Sequence, residues 1–169
     1  ELTPGGSSGG AVAAVAAGIG PLAIAQDGGG SIRRPVSHTG LVGLKPSLSS
    51  VPRQHVLPTL LLDFEIIGPI ARTVADTRLL FGVMRGPAAV DRLSLAAAHA
   101  AGLPRRAIYT GWVNAAGVPV LAVPTAPSAE GLPIGMQMVG AYGSDDLLLD
   151  LGAAFEAAAP WAHRWPTLT

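Results

Sequence analysis

The sequence predicts an α/β fold, a mixed β-sheet flanked by helices, in a single domain over residues 1–169. Three observations predict it. Short apolar runs alternate along the chain with helix-forming stretches, the pattern of layered sheet and helix. Hydrophobic residues make up 49% of the chain and mean hydropathy is +0.44, enough to bury a core and to exclude disorder. The 22 glycines and 15 prolines imply many turns and close backbone approaches, which a helical bundle does not need.

Residues 9–19 are dominated by alanine, the best helix former, and Pro21 stops the helix they predict. Leu22-Ala23-Ile24-Ala25 then reads as a short buried strand, bounded by Pro21 and Asp27. Leu41-Val42-Gly43-Leu44 is a second strand, ended by Lys45-Pro46, with loop from Pro46 to Pro58. Thr73-Val74-Ala75-Asp76 fits a capping box, with Val74, Leu79, Leu80, Val83 and Met84 supplying apolar periodicity behind it. That helix runs to about Arg85 and closes at Gly86-Pro87. Residues 88–101 are expected to be helical on a weaker pattern. Residues 118–123 and 134–139 read as strands joined by a turn segment over 124–133. Ser144 is placed as an N-cap, with Asp145 and Asp146 in the first turn of a helix reaching about Ala159. No repeat or domain linker interrupts the chain.

Composition removes several function classes. Eleven basic and eleven acidic residues give a net charge of zero without a basic block, so direct nucleic-acid binding is not expected. The absence of cysteine excludes disulfides, thiolate metal sites and a cysteine nucleophile, and is compatible with the cytoplasm. The apolar run Ala11–Ala25 is broken by Gly18, Gly20 and Pro21 and falls short of the roughly 20 residues of a membrane span. It reads as a core helix, and no membrane partner is expected. Glu1 in place of methionine leads to the expectation of a fragment or a processed chain.

Two glycine–serine clusters carry the chemistry, Gly5-Gly6-Ser7-Ser8-Gly9-Gly10 and Asp27-Gly28-Gly29-Gly30-Ser31. Neither fits a phosphate-binding loop, which needs a following lysine, or the dinucleotide fingerprint. Gly5-Gly6-Ser7-Ser8-Gly9 does satisfy G-x-S-x-G, the nucleophile elbow of α/β-hydrolases. On that reading Ser7 attacks, with an acid from Asp76, Asp91 or Asp145 and a base from His99 or His163. A plain linker is disfavoured by the dense apolar helix that follows directly.

The pairing of the two clusters, with Ser7 and Ser31 separated by 24 positions, resembles the amidase signature family. The resemblance continues through Thr39-Gly40-Leu41-Val42-Gly43-Leu44-Lys45-Pro46-Ser47 and through Ile67-Gly68-Pro69-Ile70-Ala71-Arg72-Thr73-Val74-Ala75-Asp76. It closes with Asn114-Ala115-Ala116-Gly117-Val118-Pro119 and Gly131-Leu132-Pro133-Ile134-Gly135-Met136-Gln137-Met138-Val139-Gly140. The fold it implies is a partial amidase-signature core. Its implied activity is hydrolysis of amide carbon–nitrogen bonds, with Ser31 as nucleophile, Ser7 as a bridging serine on a cis peptide bond, and a lysine. A neutral lysine can accept a proton if burial lowers its pKa, and a relay serves an amide nitrogen that leaves only when protonated. Gly28, Gly29 and Gly30 would supply backbone N–H groups to an oxyanion, and Asp27 and Arg33 would brace the loop.

The resemblance also implies what is missing. The family's lysine belongs upstream of the first cluster, and Lys45 occupies a different motif. Only Gly86 to Val113 stands where the family carries a long central segment. The domain is therefore expected to be incomplete, and the chain by itself inactive or nearly so. A small-molecule amide substrate, a homodimer, no metal, no cofactor and a cytoplasmic setting complete the expectations. The rivals are a non-catalytic remnant or a component of an amidotransferase, and the α/β-hydrolase with Ser7 as nucleophile.

Overall fold

A computed structural model describes residues 3–53, 64–91, 94 and 113–164. In chain order its elements are α1 (Gly9–Ala16), β1 (Leu22–Asp27), α2 (Arg33–Thr39), β2 (Val42–Lys45), β3 (Ile66–Ala71), α3 (Val74–Met84), β4 (Val120–Pro124), β5 (Gly135–Val139) and α4 (Asp145–Ala158). The strands form one five-stranded sheet in the order β1-β3-β2-β4-β5, and all four pairings are antiparallel.

Strand alternation sorts the apolar side chains into two cores, one on each face. Leu121 and Val123 of β4 join Val42, Leu44, Val74, Phe81, Leu148 and Leu149 beneath α3 and α4. Ala122, between them in sequence, joins Val12, Val15, Ala25, Ile32, Val36, Leu41 and Ile70 beneath α1 and α2. The result is three layers, with β4 buried along its whole length.

Most expected elements are present, with shifted ends. The alanine-rich helix stops at Ala16, and the strand expected at 22–25 continues to Asp27. The capping box forms as read: the Asp76 N–H donates to Thr73 Oγ1 at 3.0 Å, and the Thr73 hydroxyl donates to the Asp76 carboxylate at 2.7 Å. Ser144 precedes α4 but makes no side-chain cap, its hydroxyl donating instead to the Ala141 carbonyl. Most of the helix expected over 88–101 lies outside the described residues.

Two elements go beyond the sequence expectation. Helix α2 contains Pro35 and has no apolar stripe longer than its seven residues. Strand β3 contains Gly68-Pro69, a pair that reads as a turn. Proline is tolerated there because β2 pairs with β3 only at Ile70 and Ala71. Gly68 fills the remaining approach. A Cβ at that position would collide with the Leu44 backbone carbonyl and the Pro46 ring.

Gly68→Ala is therefore expected to destabilise the fold by about 3 kcal/mol or more, read as a lowered urea midpoint. Gly82, inside α3 with open space around its Cβ direction, gives the contrasting variant. Gly82→Ala is expected to raise stability by about 0.5–1 kcal/mol.

Candidate active site

The site starts from a buried carboxylate. Asp27 ends β1 with no exposed surface, and Arg33, 1% exposed, opens α2. The chain between them turns around the Asp27 carboxylate. Its Oδ1 accepts the Gly30 N–H at 2.7 Å, and its Oδ2 accepts those of Ile32 and Arg33 at 3.2 and 3.4 Å. The Arg33 guanidinium donates through Nε and Nη2 at 2.9 and 2.7 Å, a bidentate ion pair inside the protein. Burial pushes the Asp27 carboxyl up, but the hydrogen bonds and charge of Arg33, with the Gly30 N–H and the Asn114 amide, outweigh it. Its pKa lies below the ordinary carboxylate value.

Two residues from far along the chain complete the network. The Asn114 amide donates to the Asp27 carbonyl at 2.6 Å, to Asp27 Oδ1 at 3.2 Å and to the Phe64 carbonyl at 3.0 Å, while its oxygen accepts from Arg33 Nη2. Arg33 Nη1 reaches Gln137 Oε1 at 3.4 Å. Both residues sit inside motifs of the sequence that carry no role for them. The asparagine in Asn-x-x-Gly-x-Pro is the one signal that could have found such a partner.

Held this way, the loop presents Ser31 beside Ser7. The Ser7 hydroxyl donates to Ser31 Oγ at 2.9 Å. Ser7 follows a cis peptide bond from Gly6, and the neighbouring Ser8 hydroxyl ties its loop to the Gln26 carbonyl of β1 at 3.2 Å. Gly30 takes φ +115°, a conformation open to glycine, and its N–H is held by Asp27. The N–H groups of Gly28 and Gly29 donate to no other described residue.

The described residues of the rival triad make their hydrogen bonds elsewhere. Asp76 caps α3, Asp91 accepts the Arg53 N–H, and Asp145 binds Ser47. His163 is exposed near the end of the described chain, while His55 and His99 lie outside the described residues. Among the described residues no histidine is hydrogen-bonded to Ser7.

Lys45 ends β2 and forms no ion pair with any described residue. It is fully buried, and its ammonium donates to the Pro46 carbonyl at 2.8 Å. Burial, joined by the nearby charge of Arg33, pulls its pKa from 10.5 down to about 7 against the attraction of Asp27 and Asp145. Asp145 stands in the first turn of α4 as expected, and it is also buried. It accepts the Ser47 N–H and hydroxyl at 2.8 and 2.7 Å, pinning α4 to the end of β2.

The buried lysine makes stability depend on pH. Between pH about 7 and 10.5 the unfolded chain holds a proton that the folded chain has released, so stability rises with pH across that window. Below it, both states are charged and the full burial cost is present. Lys45→Met is expected to raise the unfolding midpoint clearly at pH near 6.5 and much less near 9.5. An equal gain at both would show that Lys45 keeps its ordinary pKa.

Known proteins resemble this chain in sequence and in fold. An acylamidase of Rhodococcus erythropolis is 50% identical over 91 residues, which are 54% of this chain and 19% of that protein. A component of the glutamyl-tRNA(Gln) amidotransferase of Thermus thermophilus is 45% identical over 95 residues, 56% of this chain and 20% of the relative. The matched stretch thus spans about a fifth of these relatives' length. Among solved structures, a 6-aminohexanoate cyclic dimer hydrolase superposes with TM-score 0.84 at 19% identity, covering 97% of this chain and 70% of the other. An amidase family protein from Bacillus anthracis gives 0.85 at 18% identity, covering 99% and 64%. These structures establish the shared fold. A family model described as amidase runs over residues 1–101, more than half of the chain and across both serine loops, and the chain belongs to the amidase family.

Proposed function

We propose that this chain carries the serine half of an amide-hydrolysing site, with Ser31 as nucleophile and Ser7 as proton relay. The observation that supports it most is the 2.9 Å hydrogen bond between the two hydroxyls. A serine hydroxyl attacks an amide carbonyl only if its proton is removed as the bond forms. Each hydroxyl can donate and accept, so Ser7 can take the proton of Ser31 while passing on its own. The same relay run backward protonates the departing nitrogen, and water then releases the acyl group from Ser31. The negative charge on the former carbonyl oxygen falls to the glycine loop, Gly28 and Gly29 through their N–H groups and Gly30 through its backbone conformation. Asp27 and Arg33 act at a distance, by fixing that loop.

The lysine that would accept the relayed proton is assigned by family resemblance to sequence upstream of Ser7. Lys45, bonded to Pro46, is not its substitute. The 169 residues alone are therefore proposed to be inactive or nearly so, acting on small-molecule amides only as part of a complete site. A cytoplasmic setting and a homodimer belong to the same proposal. A role within an amidotransferase is the second reading, favoured by similarity to several proteins named as components of glutamyl-tRNA(Gln) amidotransferases.

A fluorophosphonate probe followed by peptide mass spectrometry is expected to find its adduct on Ser31. An adduct on Ser7 would instead support the α/β-hydrolase reading. The purified chain is expected to hydrolyse aryl amides at a rate indistinguishable from its Ser31→Ala variant. Measurable hydrolysis lost in that variant would overturn the proposed inactivity.

A further inference from the structure

Ser31 and Ser7 sit on separate loops, and a productive relay needs their oxygens held together within a few tenths of an ångström. The Ser31 loop is fixed by Asp27. The Ser7 loop has no buried anchor of that kind, since Thr3 to Gly6 lie at the surface or half-buried. Apart from the Ser8 hydroxyl on the Gln26 carbonyl of β1, its described contacts to other elements converge on one face of α2.

Arg34 touches both loops. Its backbone N–H donates to the Gly30 carbonyl at 2.8 Å, directly before Ser31. Its side-chain Nη2 donates to the Gly6 carbonyl at 3.2 Å, directly before Ser7. One helical turn later His38 lies on the same face, as residues four apart do. A Cβ placed on Gly5, whose φ is +83°, would come within 2.8 Å of His38 Nδ1 and 3.7 Å of the Pro35 backbone. The Gly5 backbone therefore rests against the His38 ring with no room for a side chain. The opposite side of α2 buries Arg33 and Val36, so the helix cannot roll to release this face.

We infer that Arg34 is a positioning residue, and that with His38 it clamps the Gly5–Gly6 segment onto α2 and thereby sets Ser7 against Ser31. The inference rests on the reading of Ser7 as relay and Ser31 as nucleophile. Arg34 is exposed, so its replacement removes the clamp while leaving the core intact.

Two measurements on the full 169-residue chain test it. In hydrogen exchange, the peptide covering residues 3–8 is expected to exchange faster in Arg34→Ala and in His38→Ala, while peptides from α3 are unchanged. Arg34→Lys, which keeps a charged donor, is expected to restore part of the protection. In the second measurement, the rate of Ser31 modification by a fluorophosphonate is expected to fall about fivefold in Arg34→Ala, the scale of losing one solvent-exposed hydrogen bond. In a Ser7→Ala background the same substitution is expected to change nothing, because Arg34 acts only through Ser7. Unchanged exchange at residues 3–8, or an equal loss of labelling with and without Ser7, overturns the inference. If the wild-type adduct falls on Ser7 instead, the nucleophile reading fails; with no adduct at all, as the missing lysine allows, the exchange comparison still decides whether the clamp exists.

Discussion

The buried pair of Asp27 and Arg33 is the interaction on which the rest of the site depends. A carboxylate without solvent costs several kcal/mol unless its lone pairs are filled. Here they are filled by the backbone N–H groups of Gly30, Ile32 and Arg33, by two guanidinium nitrogens and by the Asn114 amide. The dependence is mutual. The loop N–H groups need an acceptor, the carboxylate needs donors, and few backbone paths satisfy both over so short a stretch. The position of Ser31 is therefore a by-product of satisfying a charge.

That requirement reaches across the whole fold. The family match covers residues 1–101, yet Asn114 and Gln137 come from beyond it and complete the pocket around Arg33. Strands β4 and β5 hold them there by closing the sheet against β2. On the other face, Asp145 fastens α4 to Ser47 just after β2, near the fully buried Lys45. Asp27, Arg33, Lys45 and Asp145 thus lie in the interior, each with named partners, and tie the early and late halves of the chain together. The serine loops ride on this frame at its surface.

Legibility in the sequence followed how local each interaction is. The α3 start was readable because Thr73 and Asp76 satisfy one another within four residues. Strands β4 and β5 were readable as apolar runs between turn signals. Helix α2 was not, since Pro35 interrupts any pattern and its start is set by the Asp27 carboxylate instead of a local cap. Strand β3 was hidden by Gly68-Pro69, whose fitness depends on which neighbour pairs where. For Lys45, sequence offered only its place in a motif, whereas its burial follows from a central strand covered on both faces.

The sequence by itself determined the family and named the residues here proposed to carry its chemistry, because motif order and the spacing of Ser7 and Ser31 survive without any knowledge of packing. It also determined the α/β class, through runs of apolar residues that can only be buried in layers. Tertiary structure decided that the two hydroxyls meet at 2.9 Å, that Asn114 and Gln137 contact Arg33, and that Lys45 is fully buried with its ammonium on the Pro46 carbonyl. These contacts join positions 24 to 104 residues apart or depend on what covers a strand. A carboxylate in the interior selects its partners by geometry, and geometry is settled only once the sheet has closed.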